Sequence, residues 1–205
     1  MTAQTGRGDR AGDLLVPAFS VDAEHRLHPA VFLSSPHQDR RPDPDDISLL
    51  VVHAISLPPD CFGTAQNRGY IDDLFLGRLD PGAHPYFEGI HRLRVSAHAC
   101  VFRDGSVTQY VAFDCRAWHA GESRFAGRER CNDFSIGIEL EGCDTQPFDD
   151  AQYRTLTALT RALLLRYPRL TPARIAGHSD IAPGRKTDPG PCFDWARLRV
   201  GLEAA

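Results

Sequence analysis

The run SLLVVHAIS, residues 48–56, limits the possible folds more than any other stretch of this chain. It is short, apolar, rich in branched side chains and bounded by turn-forming residues, so it reads as a buried strand. It also carries His53 into the interior. An imidazole placed there costs free energy unless it is hydrogen-bonded or bound to a metal. Position alone leaves two readings open: a core histidine satisfied by a backbone carbonyl, or a ligand.

His178 poses the same question near the other end. RIAGHSDI, residues 174–181, reads as a last short strand that delivers His178 into GHSDIAPGRKTDPGPCFDW, residues 177–195. Proline and glycine forbid a regular helix or strand through that segment, yet it concentrates a histidine, a lysine and three aspartates. Such a loop carries either function or nothing but solvated charge, and Arg185 and Lys186 alone fit the second description. His53, His178 and Asp188 together would supply two imidazole nitrogens and one carboxylate oxygen, a set suited to a catalytic zinc with a fourth position left for water. Their long spacing is not a metal motif by arithmetic. DFSIGIELEG, residues 133–142, has strand periodicity, which turns Glu139 and Glu141 to one side.

The remaining pattern is that of one α/β domain on a mixed sheet. The stretch 28–46 is proline- and charge-rich and is expected as irregular coil. Apolar residues at helical spacing predict a short helix over 71–80, and Asp104-Gly105 marks a hairpin within 98–114. Residues 149–168 predict a helix capped by an aspartate and stopped by Pro168, and 192–202 a terminal helix. With 205 residues, 42% of them hydrophobic, the chain is long enough for a single substantial core. A net charge of −4 without blocks of like charge gives no reason to expect nucleic-acid or membrane-surface binding. No apolar run approaches the roughly 20 residues that span a bilayer. The first 33 residues read as a flexible polar leader and coil, without the apolar core of a secretory signal, and a cytoplasmic address is expected. Six cysteines without a C-x-x-C pair are expected to be reduced, with Cys100 a buried filler. His25, His28 and His37 are expected as solvated loop side chains, and His84 and His91 lack an obvious partner.

LLVVHAISLPP, RVSAHACVFRDG, RAWHAG, GRERCNDFSIGIELEG and GHSDIAPGRKTDPGPCFDWARLR occur in that order and at that spacing. In this they closely resemble the cytoplasmic 1,6-anhydro-N-acetylmuramyl-L-alanine amidase type of bacterial zinc amidase. The resemblance runs from about residue 34 to about residue 200, within an amidase domain expected over 34–205. It implies the fold shared with peptidoglycan recognition proteins, a single central mixed β-sheet flanked by helices. It also implies Zn2+ on His53, His178 and Asp188, catalysis by Glu139 and Lys186, sugar contact by Trp118, and peptide-side contacts by Arg94 and Arg130. The implied reaction cuts the amide between the lactyl group of the anhydro sugar and L-alanine. Its substrate is a small muropeptide, and a monomer is expected. One departure is Ala54, where asparagine is expected after the first ligand. The ligand types would also suit copper or nickel. Two alternatives are a broader amidase that also cuts intact murein and a module of the same fold that binds muropeptide without cleaving it.

Overall fold

The computed structural model describes residues 18–203. In chain order the strands and helices are β1 (Ser20–Val21), β2 (Leu27–His28), β3 (Val31–Phe32), β4 (Gln38–Arg40), β5 (Leu49–Ile55), α1 (Ala65–Phe75), β6 (Ala99–Val101) and β7 (Val107–Gln109). They continue as β8 (Cys115–Ala117), β9 (Arg124–Phe125), β10 (Arg128–Glu129), β11 (Ser135–Glu141), α2 (Asp150–Arg166), β12 (Ile175–Gly177), α3 (His178–Ile181) and α4 (Trp195–Glu203). Six strands form one sheet in the order β12-β5-β11-β6-β7-β3. Neighbours are parallel except for the β6–β7 hairpin, so the sheet is mixed, as expected.

Strand alternation divides this sheet into two faces. Leu50 and Val52 of β5, with Ile136, Ile138 and Leu140 of β11, lie in one apolar cluster with Tyr153, Leu156, Leu159 and Leu163 of α2 and Leu198 of α4. The opposite face carries Leu49, Val51 and His53 of β5 and Ser135, Gly137, Glu139 and Glu141 of β11. There, Ile71, Leu74 and Phe75 of α1 belong to a second apolar cluster, and Leu49 and Val51 to a third with Phe134 and Ile181. Both central strands are therefore covered on both sides, which explains why β11 is buried along all seven residues. α2 begins where its capping aspartate predicts, with Asp149 and Gln152 forming a reciprocal cap.

Several local expectations are corrected. The helix expected over 71–80 spans Ala65–Phe75: Thr64 accepts from the Asn67 amide to start it, and Gly77 turns the chain out at φ +68°. The last strand ends at Gly177, and His178 opens a short helix instead of continuing it. The terminal helix starts at Trp195. The stretch expected as coil holds β3 and β4: β3 pairs with β7 at the sheet edge, and β4 pairs with β8. An edge pair is held by backbone bonds and needs no apolar alternation, so composition hides it. Val31–Phe32 joins the sheet although it precedes residue 34, and the expected leader lies outside the described residues as far as residue 17. All six cysteines are unpaired, and Cys100 is fully buried. No helix among the described residues is long and apolar enough to cross a membrane.

Candidate active site

Three adjacent parallel strands deliver the candidate residues to one place. In the β5–β11 register Glu139 is the direct neighbour of His53. On the other side of β5, Gly177 of β12 lies beside Val52, so His178 emerges next to His53. The loop after α3 folds back, and the Ser179 amide donates to the Asp188 carbonyl at 2.9 Å. Gly190 permits this return: its φ is +81°, and a Cβ there would lie 2.4 Å from the Cα of Asp144.

The resulting geometry is compact. His53 Nδ1 and His178 Nδ1 are 2.9 Å apart, and Asp188 Oδ2 lies 3.0 Å from the first and 3.1 Å from the second. These three atoms form a triangle close to one face of a tetrahedral zinc shell, whose edges are roughly 3.3 Å for ligand distances of about 2.0–2.1 Å. Both histidines are buried. Burial holds the His53 imidazole neutral, with its pKa lowered to about 4. Burial alone would raise the Asp188 carboxyl, but the adjoining His178 and His53 imidazoles outweigh it and hold the group well below the usual carboxylate range. The ring nitrogens facing away from the cluster are also engaged. His178 Nε2 is 3.1 Å from the Ala120 carbonyl, which can only accept, so the proton sits there and the Nδ1 lone pair faces the cluster.

Glu139 stands beside this triangle with its Oε2 buried and without a hydrogen-bond partner among the described residues. Desolvation, then the Asp188 charge, push its carboxyl well above the ordinary value, while Lys186 opposes them. A divalent cation at the triangle would balance both carboxylates and offset that desolvation. The donor types, their spacing and the unpartnered carboxylate all fit a metal. Glu141 lies on the same face but is used differently: its two oxygens accept the Gly63 amide at 2.8 Å and the Arg103 amide at 3.1 Å.

The triangle opens into a cleft of about 670 Å³. Lys186, Trp118 and Glu139 line it, with Tyr86, Ile90 and Leu93 forming an apolar wall. Trp118 is held at its edge by Nε1–H donating to Asp39 at 3.2 Å, with the Arg94 guanidinium 5.2 Å from its ring centroid. Arg94 itself is exposed beside this wall. Arg130 is not brought to the cleft; it is exposed in a neighbouring depression and pairs with Asp133 at 3.4 Å. Ala54 lines the cleft next to the first ligand. His37, expected in solvent, is instead buried: its Nδ1 lies 3.0 Å from the Val95 carbonyl, and its ring stacks 6.1 Å from that of Trp118. Sequence reasoning passed over His119, whose Nδ1 lies 2.9 Å from His53 Nε2. A signal was present in Gly137, since a glycine inside a buried strand marks a close approach.

A metal-capable triangle and a buried carboxylate open to an apolar-walled cleft at the ends of parallel strands, an arrangement that fits a hydrolase. The chain belongs to the N-acetylmuramoyl-L-alanine amidase family, whose sequence profile matches residues 43–191. It is 62% identical over 166 residues to the 1,6-anhydro-N-acetylmuramyl-L-alanine amidase AmpD of Citrobacter freundii, covering 81% of this chain and 86% of that protein. A crystal structure of a selenomethionine AmpD derivative superposes with a TM-score of 0.83 at 59% identity, over 87% of this chain and 97% of the other. The N-acetylmuramyl-L-alanine amidase AmiD from E. coli, solved with the substrate anhydro-N-acetylmuramic acid-L-Ala-D-gamma-Glu-L-Lys, matches with a TM-score of 0.56 at 27% identity. That match covers 90% of this chain and 65% of AmiD.

The two glutamates are separable by substitution. Glu141→Gln turns one of the two oxygens that accept the Gly63 and Arg103 amides into an NH2 that cannot accept, and is expected to cost about 1–3 kcal/mol of unfolding free energy in urea. Turnover by the folded fraction is expected to stay within severalfold of wild type. A loss of turnover as large as that of Glu139→Gln, at unchanged stability, would overturn this distinction.

Proposed function

We propose that the chain hydrolyses the amide between the lactyl group of 1,6-anhydro-N-acetylmuramic acid and L-alanine in recycled muropeptides, using one zinc ion held by His53, His178 and Asp188. The observation that carries this reading is the convergence of three ligand atoms beside the buried, unpartnered oxygen of Glu139. The named substrates of similar amidases support the choice of bond and sugar. A cytoplasmic location and a monomeric state belong to the same proposal.

Zinc held there supplies an activated water near neutral pH and polarises the substrate carbonyl. The protein's own groups handle the proton and the charge. Glu139 takes the proton of the attacking water and passes it to the departing amine of L-alanine. Lys186, on the loop that carries Asp188, offers a point charge to the oxyanion. The apolar wall and Trp118 hold the sugar, which fixes the scissile amide against the base.

Purified protein is expected to contain one zinc, to lose activity on chelation and to recover it when zinc is restored. His178→Ala is expected to lose the metal. Glu139→Gln is expected to retain metal and substrate binding while turnover falls by at least about 100-fold, because the amide keeps the shape but not the basicity. Full activity in metal-free protein, measured beside its metal content, would overturn the mechanism.

A preference for the anhydro sugar is part of the same proposal. A pocket shaped for the bridged anhydro ring would bury the reducing-end hydroxyl of ordinary muramic acid without a partner, at a cost of about 1–3 kcal/mol. kcat/KM is therefore expected to be roughly 5- to 150-fold higher on the anhydromuramyl peptide than on the same peptide carrying the ordinary sugar. Trp118→Ala is expected to retain zinc and lose most of this rate. Equal specificity constants on the two sugars would favour a broader amidase.

A further inference from the structure

The two candidate histidine ligands are oriented by different devices. His178 Nε2 faces the Ala120 carbonyl, a fixed acceptor. His53 Nε2 faces another imidazole, His119 Nδ1 at 2.9 Å, and His119 Nε2 in turn faces Ser135 Oγ at 3.0 Å. This relay has two proton arrangements. In one, His53 Nε2–H donates to His119 Nδ1, and His119 Nε2–H donates to the serine hydroxyl. In the other, the serine donates to His119 Nε2, His119 Nδ1–H donates to His53 Nε2, and the remaining His53 proton sits on Nδ1. Asp188 Oδ2, 3.0 Å from Nδ1, can accept that proton. Only the first arrangement leaves the Nδ1 lone pair of His53 available to a metal.

We infer that His119, backed by Ser135, is a positioning residue that holds His53 in the ring orientation and tautomer required for metal binding. The inference rests on the zinc site proposed above. The fold builds this contact deliberately into the sheet. His119 lies flat over β11 at Gly137, where a Cβ would come within 2.4 Å of the ring Cγ, so no other residue leaves the ring its place. Its backbone amide is tied to Asn132 Oδ1 at 3.1 Å. The His53 and His119 rings meet at 86°, with His53 Nε2 2.9 Å from His119 Nδ1. His119 supplies none of the three cluster atoms and acts through its contact with His53.

The experiment is a zinc titration of full-length apo protein against a chromophoric chelator, with the visible spectrum of the cobalt-substituted protein as a second readout. His119→Phe keeps the ring and removes both nitrogens, and is expected to weaken zinc binding by about 10- to 100-fold and to alter the cobalt bands. His119→Asn, whose side-chain oxygen replaces Nδ1 as acceptor, is expected to recover most of the affinity. Ser135→Ala is expected to weaken zinc severalfold through the same relay, which keeps the test alive if His119→Phe does not fold. Melting temperatures of the apo proteins separate folding from ligation: a loss of affinity at unchanged apo stability supports the inference. Wild-type zinc affinity and an unchanged cobalt spectrum in His119→Phe and Ser135→Ala would overturn it, as would equal losses in the Asn and Phe variants. Wild-type protein that binds no zinc at all would instead overturn the metal centre, and this inference with it.

Discussion

The pairing of β5 with β11 in parallel, in the register that sets His53 beside Glu139, is the constraint on which the rest of the molecule depends. Side chains alternate along a strand, so one register fixes both faces at once. With Leu50, Val52, Ile136 and Ile138 turned toward α2, His53, Gly137 and Glu139 must turn the other way. A slip of one residue in either strand would send its polar group onto the leucines of α2 and an isoleucine or valine into the cleft. The burial of Leu156, Leu159 and Leu163 against that face therefore does more than stabilise the fold. It selects the one alignment in which His53 and Glu139 are neighbours. Apolar packing, which has no directional chemistry of its own, thereby sets the geometry of the candidate site on the opposite side of the sheet.

How much of this is legible in the sequence depends on whether the cause is local. β5, β11, the hairpin and α2 are each encoded by residues within the element: branched runs, an Asp-Gly turn, an aspartate cap and a terminating proline. His53 and His178 stand out because an imidazole in an apolar strand demands an account. The elements that escape are those whose cause lies elsewhere in the chain. β3 exists because β7 offers an edge, and Leu33 continues the contact by donating to the Gln109 carbonyl at 2.9 Å. His37 sits among charged and proline-rich neighbours, yet it is buried because the Val95 carbonyl and the Trp118 ring come to it. His119 depends on a glycine in a strand nearly twenty residues away in sequence. The family resemblance supplied the ligand set, which spacing alone could not.

The alternation that brings polar groups together also buries them, and each must be satisfied within the protein. Arg41 shows how far this extends. Its guanidinium is almost wholly buried, and burial lowers its pKa to about 10, which leaves it charged at neutral pH. Among the described residues no carboxylate pairs with it. It donates instead to backbone carbonyls of Phe113, Asn132, Asp133 and Ser135, at distances from 2.7 to 3.3 Å. A planar fork of donors can gather several carbonyls that belong to no regular ladder, a task that a lysine with its single ammonium could not share.

Those carbonyls belong to the segment that orients the candidate ligands. Asn132, whose carbonyl Arg41 holds, uses its side-chain oxygen to accept both the His119 and the Ala120 amides, at 3.1 and 2.8 Å. Ala120 then presents its carbonyl to His178 Nε2, and His119 presents Nδ1 to His53 Nε2. Ser135, at the far end of the relay, is held through its own carbonyl by the same guanidinium at 2.7 Å. Both imidazoles of the triangle are thus referred back to one buried arginine through a short hydrogen-bonded chain. Such a chain transmits position only while every member is satisfied, since a half-satisfied buried network loses more than an apolar one would. Arg41 holds the Asn132 carbonyl, the Asn132 side chain holds the backbone of residues 119–120, and that segment faces the outer ring nitrogens of His53 and His178.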